Sequence, residues 1–173
     1  ATLVQNKNWL ETEYGDGKTS KHIIANYDEM KNTIINNIVI KGGGISRSAG
    51  FFLKGGCVLN NCTIENSGAA GIFCGDLVQV NGCIVNDSNS SGIQCSDFAQ
   101  LNNCTVNKSN STGILCTGST QINNCVIDGS GRAGISCDST FKGVCVFNVL
   151  KSGSKLEDDS TSPSKVQYNI IQE

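Results

Sequence analysis

A chain of 173 residues with 38% hydrophobic and 16% charged residues suits one soluble domain built around a narrow apolar core. A net charge of −2 predicts neither nucleic-acid nor membrane-surface binding, and no apolar run reaches the length of a spanning helix. The chain opens at Ala1 with no charged-then-apolar leader, which fits a processed mature chain or a trimmed one.

Residues 1–33 contain the sole Trp, Trp9, and the sole His, His22, with Tyr27 to Lys31 able to form one helical turn. They read as an N-terminal cap or assembly segment. Residues 34–148 read as the solenoid. Asn36-Asn37-Ile38-Val39-Ile40 opens it with an irregular coil lengthened by Gly42-Gly43-Gly44. From Gly50 onward glycines recur at Gly71, Gly92, Gly113 and Gly134, each 21 residues after the last. Gly-Ile-x-Cys follows at Gly71, Gly92, Gly113 and Gly134, so Ile114 and Cys116 point one way and Leu115 the other, as in a strand.

A second block repeats in step: Asn60-Asn61-Cys62-Thr63-Ile64, Asn81-Gly82-Cys83-Ile84-Val85, Asn102-Asn103-Cys104-Thr105-Val106 and Asn123-Asn124-Cys125-Val126-Ile127. Cys145-Val146-Phe147 reads as its fifth copy, one residue early. Leu59, Val80, Leu101 and Ile122 mark a third short strand before each asparagine pair. The fold class is therefore all-β: a right-handed single-stranded parallel β-helix with 21-residue coils and three short strands per coil. A leucine-rich repeat would need a helical side and a leucine scaffold, which the repeat lacks. Lys151 to Lys165 is polar and loop-like, and Val166 to Ile171 reads as a strand; residues 149–173 form a C-terminal cap or assembly segment.

These Gly-Ile-x-Cys and Asn-Asn-Cys-x-Val/Ile blocks, with their Asn/Ser/Gly turns, resemble the right-handed parallel β-helix repeats of the pectin-lyase-like superfamily over residues 36–148. The resemblance implies the fold, but that superfamily includes lyases, hydrolases, epimerases, phage spikes and non-catalytic surface proteins, so it selects no activity.

Stacked coils place identical residues over one another. Asn60, Asn81, Asn102 and Asn123 should form an asparagine ladder, and Ser67, Ser88, Ser109 and Ser130 a second polar column. Ten cysteines allow two readings. One bridge per coil would pair Cys57 with Cys62, Cys74 with Cys83, Cys95 with Cys104, Cys116 with Cys125 and Cys137 with Cys145, implying an oxidising compartment. Alternatively they are buried thiols that stack as small hydrophobes. Their spread argues against zinc. Sequons at Asn86, Asn89, Asn107 and Asn110 fall in an exposed turn, whereas Asn61 and Asn103 are expected at a packed bend.

Carboxylates in the coils are few: Glu65, Asp76, Asp87, Asp97, Asp128 and Asp138. Asp76, Asp97 and Asp138 fall in one turn and suggest at most a weak calcium site; otherwise no cofactor or metal is expected. Arg132 reads as an exposed turn residue before it reads as a substrate clamp, and no catalytic motif of a polygalacturonase or pectate lyase is present. The balance is against an enzyme.

The apolar outward column Thr63, Ile84, Thr105, Val126 and Val146, with the terminal residues Val166, Tyr168 and Ile170, is the candidate interaction surface. Phe52, Phe73 and Leu115 form a second apolar column, and a threonine array of the ice-binding kind is missing. The expected function is that of a secreted or cell-surface structural β-helix, non-enzymatic, self-associating and able to form fibres. The alternative is a β-helix that binds or degrades polysaccharide.

Overall fold

The computed structural model describes residues 10–13, 19–22, 24–25, 33–41, 49–160, 165–167 and 169–172. Trp9, Ile23, Tyr27 to Lys31, the Gly42-Gly43-Gly44 run, Pro163 and Tyr168 lie outside them, as do the side chains of His22 and Val166. Leu10–Glu13 and Thr19–His22 form an antiparallel pair. All other described strands join three seven-stranded sheets in which the partners in every pair run parallel.

The first sheet stacks Ile24–Ala25, Phe51–Leu53, Ile72–Cys74, Ile93–Cys95, Ile114–Cys116, Ile135–Cys137 and Leu156–Asp158. The second stacks Ile34–Asn36, Val58–Asn60, Gln79–Asn81, Gln100–Asn102, Gln121–Asn123, Val144–Val146 and Lys165–Gln167. The third stacks Val39–Lys41, Thr63–Glu65, Ile84–Ser88, Thr105–Ser109, Val126–Asp128, Val149–Lys151 and Ile170–Ile171. This is a parallel β-solenoid with three short strands per coil, as the 21-residue period predicts. The polar stretch 151–165 departs from expectation. Leu156–Asp158 pairs with Ile135–Cys137, and the following strands add to the other two sheets.

Strand alternation sends one column inward from the second and third sheets and two from the first, where Leu53, Cys74, Cys95, Cys116 and Cys137 are buried beside the column named next. Phe51, Ile72, Ile93, Ile114 and Ile135 fill the first side, Leu59, Val80, Leu101 and Ile122 the second, and Ile64, Val85, Val106, Ile127 and Leu150 the third, all fully buried. The repeated glycine sits where the wall folds against this core. A Cβ on Gly92 would fall inside van der Waals distance of Val106 Cγ1 and 2.8 Å from Gly113 O, so only hydrogen fits. The corner between second and third sheets turns through left-handed residues: Asn61 (φ 52), Asn103 (φ 56) and Asn124 (φ 55), with Gly82 (φ 60) in the remaining regular coil. Asparagine tolerates this backbone region better than most side chains. Asn61 and Asn103 are exposed, not packed, because the left-handed turn points them outward.

The first coil is longer than the period, as Ile34 pairs with Val58, 24 residues on, and one later coil also breaks it. Gln121 pairs with Val144, 23 residues on, while Cys116 pairs with Cys137 at the usual 21. Two extra residues therefore enter between Cys137 and Val144. The reading of Cys145-Val146-Phe147 as an early copy of the asparagine block is corrected accordingly. Cys145 stacks on Ile122 in the second sheet, Val146 on Asn123, and Val149, not Val146, continues the outward column above Val126. The place held by Cys125 one coil earlier goes to Asn148.

Candidate functional site

Three features deserve to be weighed as sites, beginning with the thiols. The ten cysteines are unbridged and buried. None of the one-bridge-per-coil pairs is bonded: the register stacks the thiols of two columns on their equivalents in the next coil, while Cys137 and Cys145, one of the expected pairs, share a side-chain hydrogen bond. Cys74, Cys95, Cys116 and Cys137 are direct partners across adjacent strands of the first sheet, and Cys116 Sγ lies 3.2 Å from Cys137 Sγ. Cys62, Cys83, Cys104 and Cys125 make a second column at the asparagine corner, where their thiols lie 3.3–3.5 Å from the carbonyls of Asn60, Asn81, Asn102 and Asn123. Thiols within a column tune each other. Cys62, hydrogen-bonded by Cys83, is lowered to about 7. Cys83, which shares that bond and is buried, is pushed well above the ordinary thiol value. Cys137 is lowered to about 5 by hydrogen bonds from Cys116 and then Cys145.

The second feature is a groove of about 650 Å³ along the outer edge of the third sheet, lined by residues that include Glu65, Asn86, Asp87, Asn107, Lys108 and Asp128. It follows five rungs of the third sheet where a polar residue is succeeded by a left-handed one, Asn66, Asp87, Lys108, Gly129 and Ser152. The column Lys41, Glu65, Asn86, Asn107, Asp128, Lys151 runs along its wall. Lys41 Nζ is 3.3 Å from Glu65, and Asn107 Nδ2 donates to Asn86 Oδ1 at 2.9 Å. Three rungs separate Glu65 from Asp128, about 14 Å at the usual strand spacing. A glycosidase needs its two carboxyls about 5–9.5 Å apart, so these two are not such a pair. The groove is written in the sequence only as the 21-residue register of Glu65, Asn86, Asn107 and Asp128.

The acidic turn is not one column. Asp76 and Asp97 occupy equivalent left-handed positions (φ 38 and 42) together with Gly118 (φ 58). Asp138 instead follows Cys137 directly, as Gly75 follows Cys74, and its Oδ1 accepts hydrogen bonds from Thr140 N at 2.8 Å and Thr140 Oγ1 at 2.7 Å. Among the described residues, no group of three or more His, Cys, Asp or Glu side chains could hold a metal ion. Arg132 is exposed and pairs with Glu157 at 3.4 Å.

The third feature is the contrast between the ends of the stack. In the inward column of the third sheet, Ile40 on the first strand is 1% exposed, whereas Ile171 on the last is 59% exposed. Ile170, which extends the outward column Thr63, Ile84, Thr105, Val126 and Val149, is 55% exposed. Elsewhere on that column only Ile84 is strongly exposed, at 40%. Phe52 and Phe73 stack face to face at 4.7 Å on the outside of the first sheet.

The fold and these features define a parallel β-solenoid. Family models, curated proteins and solved structures were all compared with the chain, and none matches. Among the described residues, no helix is long and apolar enough to cross a membrane.

Proposed function

We propose that the protein is a non-enzymatic structural β-helix that works outside the cell or at its surface and joins a second copy of itself through its C-terminal rung. The observation that carries this reading is the exposed core residue Ile171, against the buried Ile40 of the same column. Among the described residues Leu156–Asp158, Lys165–Gln167 and Ile170–Ile171 are each the last strand of a sheet, and a sheet edge is a template for another strand. Pairing through one end is isologous and stops at two copies, whereas pairing through both ends would propagate. The sequons at Asn89 and Asn110, both on exposed turn residues, favour the extracellular setting. Membership of the pectin-lyase-like superfamily belongs to the same proposal and rests on the repeat blocks.

Mass photometry of the full chain across concentration tests the association. A dimer is expected, lost in Ile171→Asp and on deletion of 164–173, with the β circular dichroism of the coils retained. A monomer at every concentration, or a dimer indifferent to both changes, overturns the reading; a growing filament overturns its one-ended form.

A second reading is favoured by the groove. Its amides, carboxylates and Lys108 present hydrogen-bonding groups at regular rung spacing, suited to a hydroxyl-rich polysaccharide laid along the stack. Retention on neutral, pectic, alginate and chitin-type polymers, weakened by Asn107→Ala, would support it. No retention and no release of reducing or unsaturated ends would remove it.

A further inference from the structure

The two thiol columns hold four residues each, and neither the end contacts nor the groove uses them. Register makes Cys74, Cys95, Cys116 and Cys137 successive partners, and the corner column Cys62, Cys83, Cys104, Cys125 follows from the strands on either side of it. Adjacent strands lie about 4.8 Å apart. That spacing is inside the Cα separation of about 4.4–6.8 Å that a disulfide spans. One pair of thiols already touches, Cys116 with Cys137 at 3.2 Å, and the facing thiols Cys62 and Cys83, Cys74 and Cys95, and Cys104 and Cys125 are near enough to shift each other's protonation. A column of four consumes all its members only as first with second and third with fourth. Any bond between the middle two strands both outer ones.

We propose that oxidation staples neighbouring coils through four disulfides, Cys62–Cys83, Cys104–Cys125, Cys74–Cys95 and Cys116–Cys137, and leaves Cys57 and Cys145 as thiols. Cys57 sits outside both columns, at the position held by Val78, Ala99 and Thr120 in later coils. Cys145 is displaced into the column of Ile122 by the two-residue insertion. It also hydrogen-bonds Cys137, which makes it a competitor to the scheme.

Each bond forms by thiol–disulfide exchange with a small disulfide oxidant such as oxidised glutathione. One protein thiolate attacks the oxidant, giving a mixed disulfide and releasing one reduced thiol. The second cysteine gives its proton to solvent and displaces the other. Two protein thiols become one disulfide while one oxidant molecule becomes two thiols. All eight side chains are at most 1% exposed, so the oxidant reaches them during folding or when a coil opens.

The test refolds the full chain in a glutathione redox buffer, alkylates it in denaturant without reduction, and reads intact mass and crosslinked peptides. Expected are two alkylated cysteines, Cys57 and Cys145, and four links joining residues 21 apart. The Cys83→Ser variant should add Cys62 to the alkylated set and leave Cys104–Cys125 intact, and Cys145→Ser should keep all four links. Ten alkylated thiols after oxidation, a within-coil link such as Cys74–Cys83, or a Cys137–Cys145 bond would each overturn the proposal.

Discussion

Two stretches of the stack solve the same corner with different chemistry. From Cys62 to Cys125 the bend between second and third sheets is filled by a thiol resting on a carbonyl, a weak contact that adds little beyond packing. In the longer coil that follows Cys137, the same place holds the fully buried Asn148. Its Oδ1 accepts from Cys125 N at 2.8 Å, and its Nδ2 lies 3.3 Å from Ile122 O and 3.0 Å from Asn169 Oδ1. A regular coil needs only something small and apolar at its inner corner, because backbone and asparagine ladders already tie it to its neighbours. Where the register slips by two residues, one amide binds the coils on either side. Location in the coil assigns the role, and the residue there is chosen to fit.

The largest blow to the regular part should come from Gly92→Ala. Its new methyl meets Val106 and the Gly113 carbonyl at once. A loss of about 3 kcal/mol is expected in urea unfolding, if the coil forms at all. Gly153→Ala, with nothing within 4 Å and only φ +73 against it, should lose about 1–2 kcal/mol. Equal losses would mean that crowding is not why the repeat requires glycine.

Next comes Asn148→Cys, which makes the long coil look more like the repeat. It removes an acceptor from a buried N–H and should cost about 2–3 kcal/mol. A neutral or stabilising result in the same denaturation experiment would erase the distinction between the two corners.

How much of this was legible follows from the same pair of regions. The 21-residue period, the three strands and the asparagine ladder could be read because each column repeats a residue whose chemistry suits one place. The insertion between Cys137 and Val144 was hidden, since Cys145-Val146-Phe147 imitates the block it does not belong to. That resemblance displaced Val146 from its true column. Counting cysteines per coil also concealed that neighbours in a stack are separated by a whole turn of sequence. The groove and the open C-terminal rung depend on register and exposure, which no single residue type announces.

Smaller effects refine the contrast. Asn102 donates to Asn81 Oδ1 at 3.1 Å and accepts from Asn123 at 3.2 Å, so Asn102→Ala should lose about 1 kcal/mol by thermal or chemical unfolding. Ser109→Ala should move the other way. Among the described residues the Oγ atoms of Ser67, Ser88, Ser109 and Ser130 have no hydrogen-bond partner, and Ser109 is 2% exposed. Removing that hydroxyl should be neutral or stabilise by up to about 1 kcal/mol. A clear loss would give the serine column a duty that packing does not explain.

The asparagine ladder also has a direction. Asn60 donates to Asn36, Asn81 to Asn60, Asn102 to Asn81 and Asn123 to Asn102, always from the later coil to the earlier one. A chain leaving the ribosome presents its N-terminal coils first. Each new turn therefore arrives carrying donors for acceptors already in place, and the molecule can be wound in the order in which it is made, with every finished coil serving as the mould for the next.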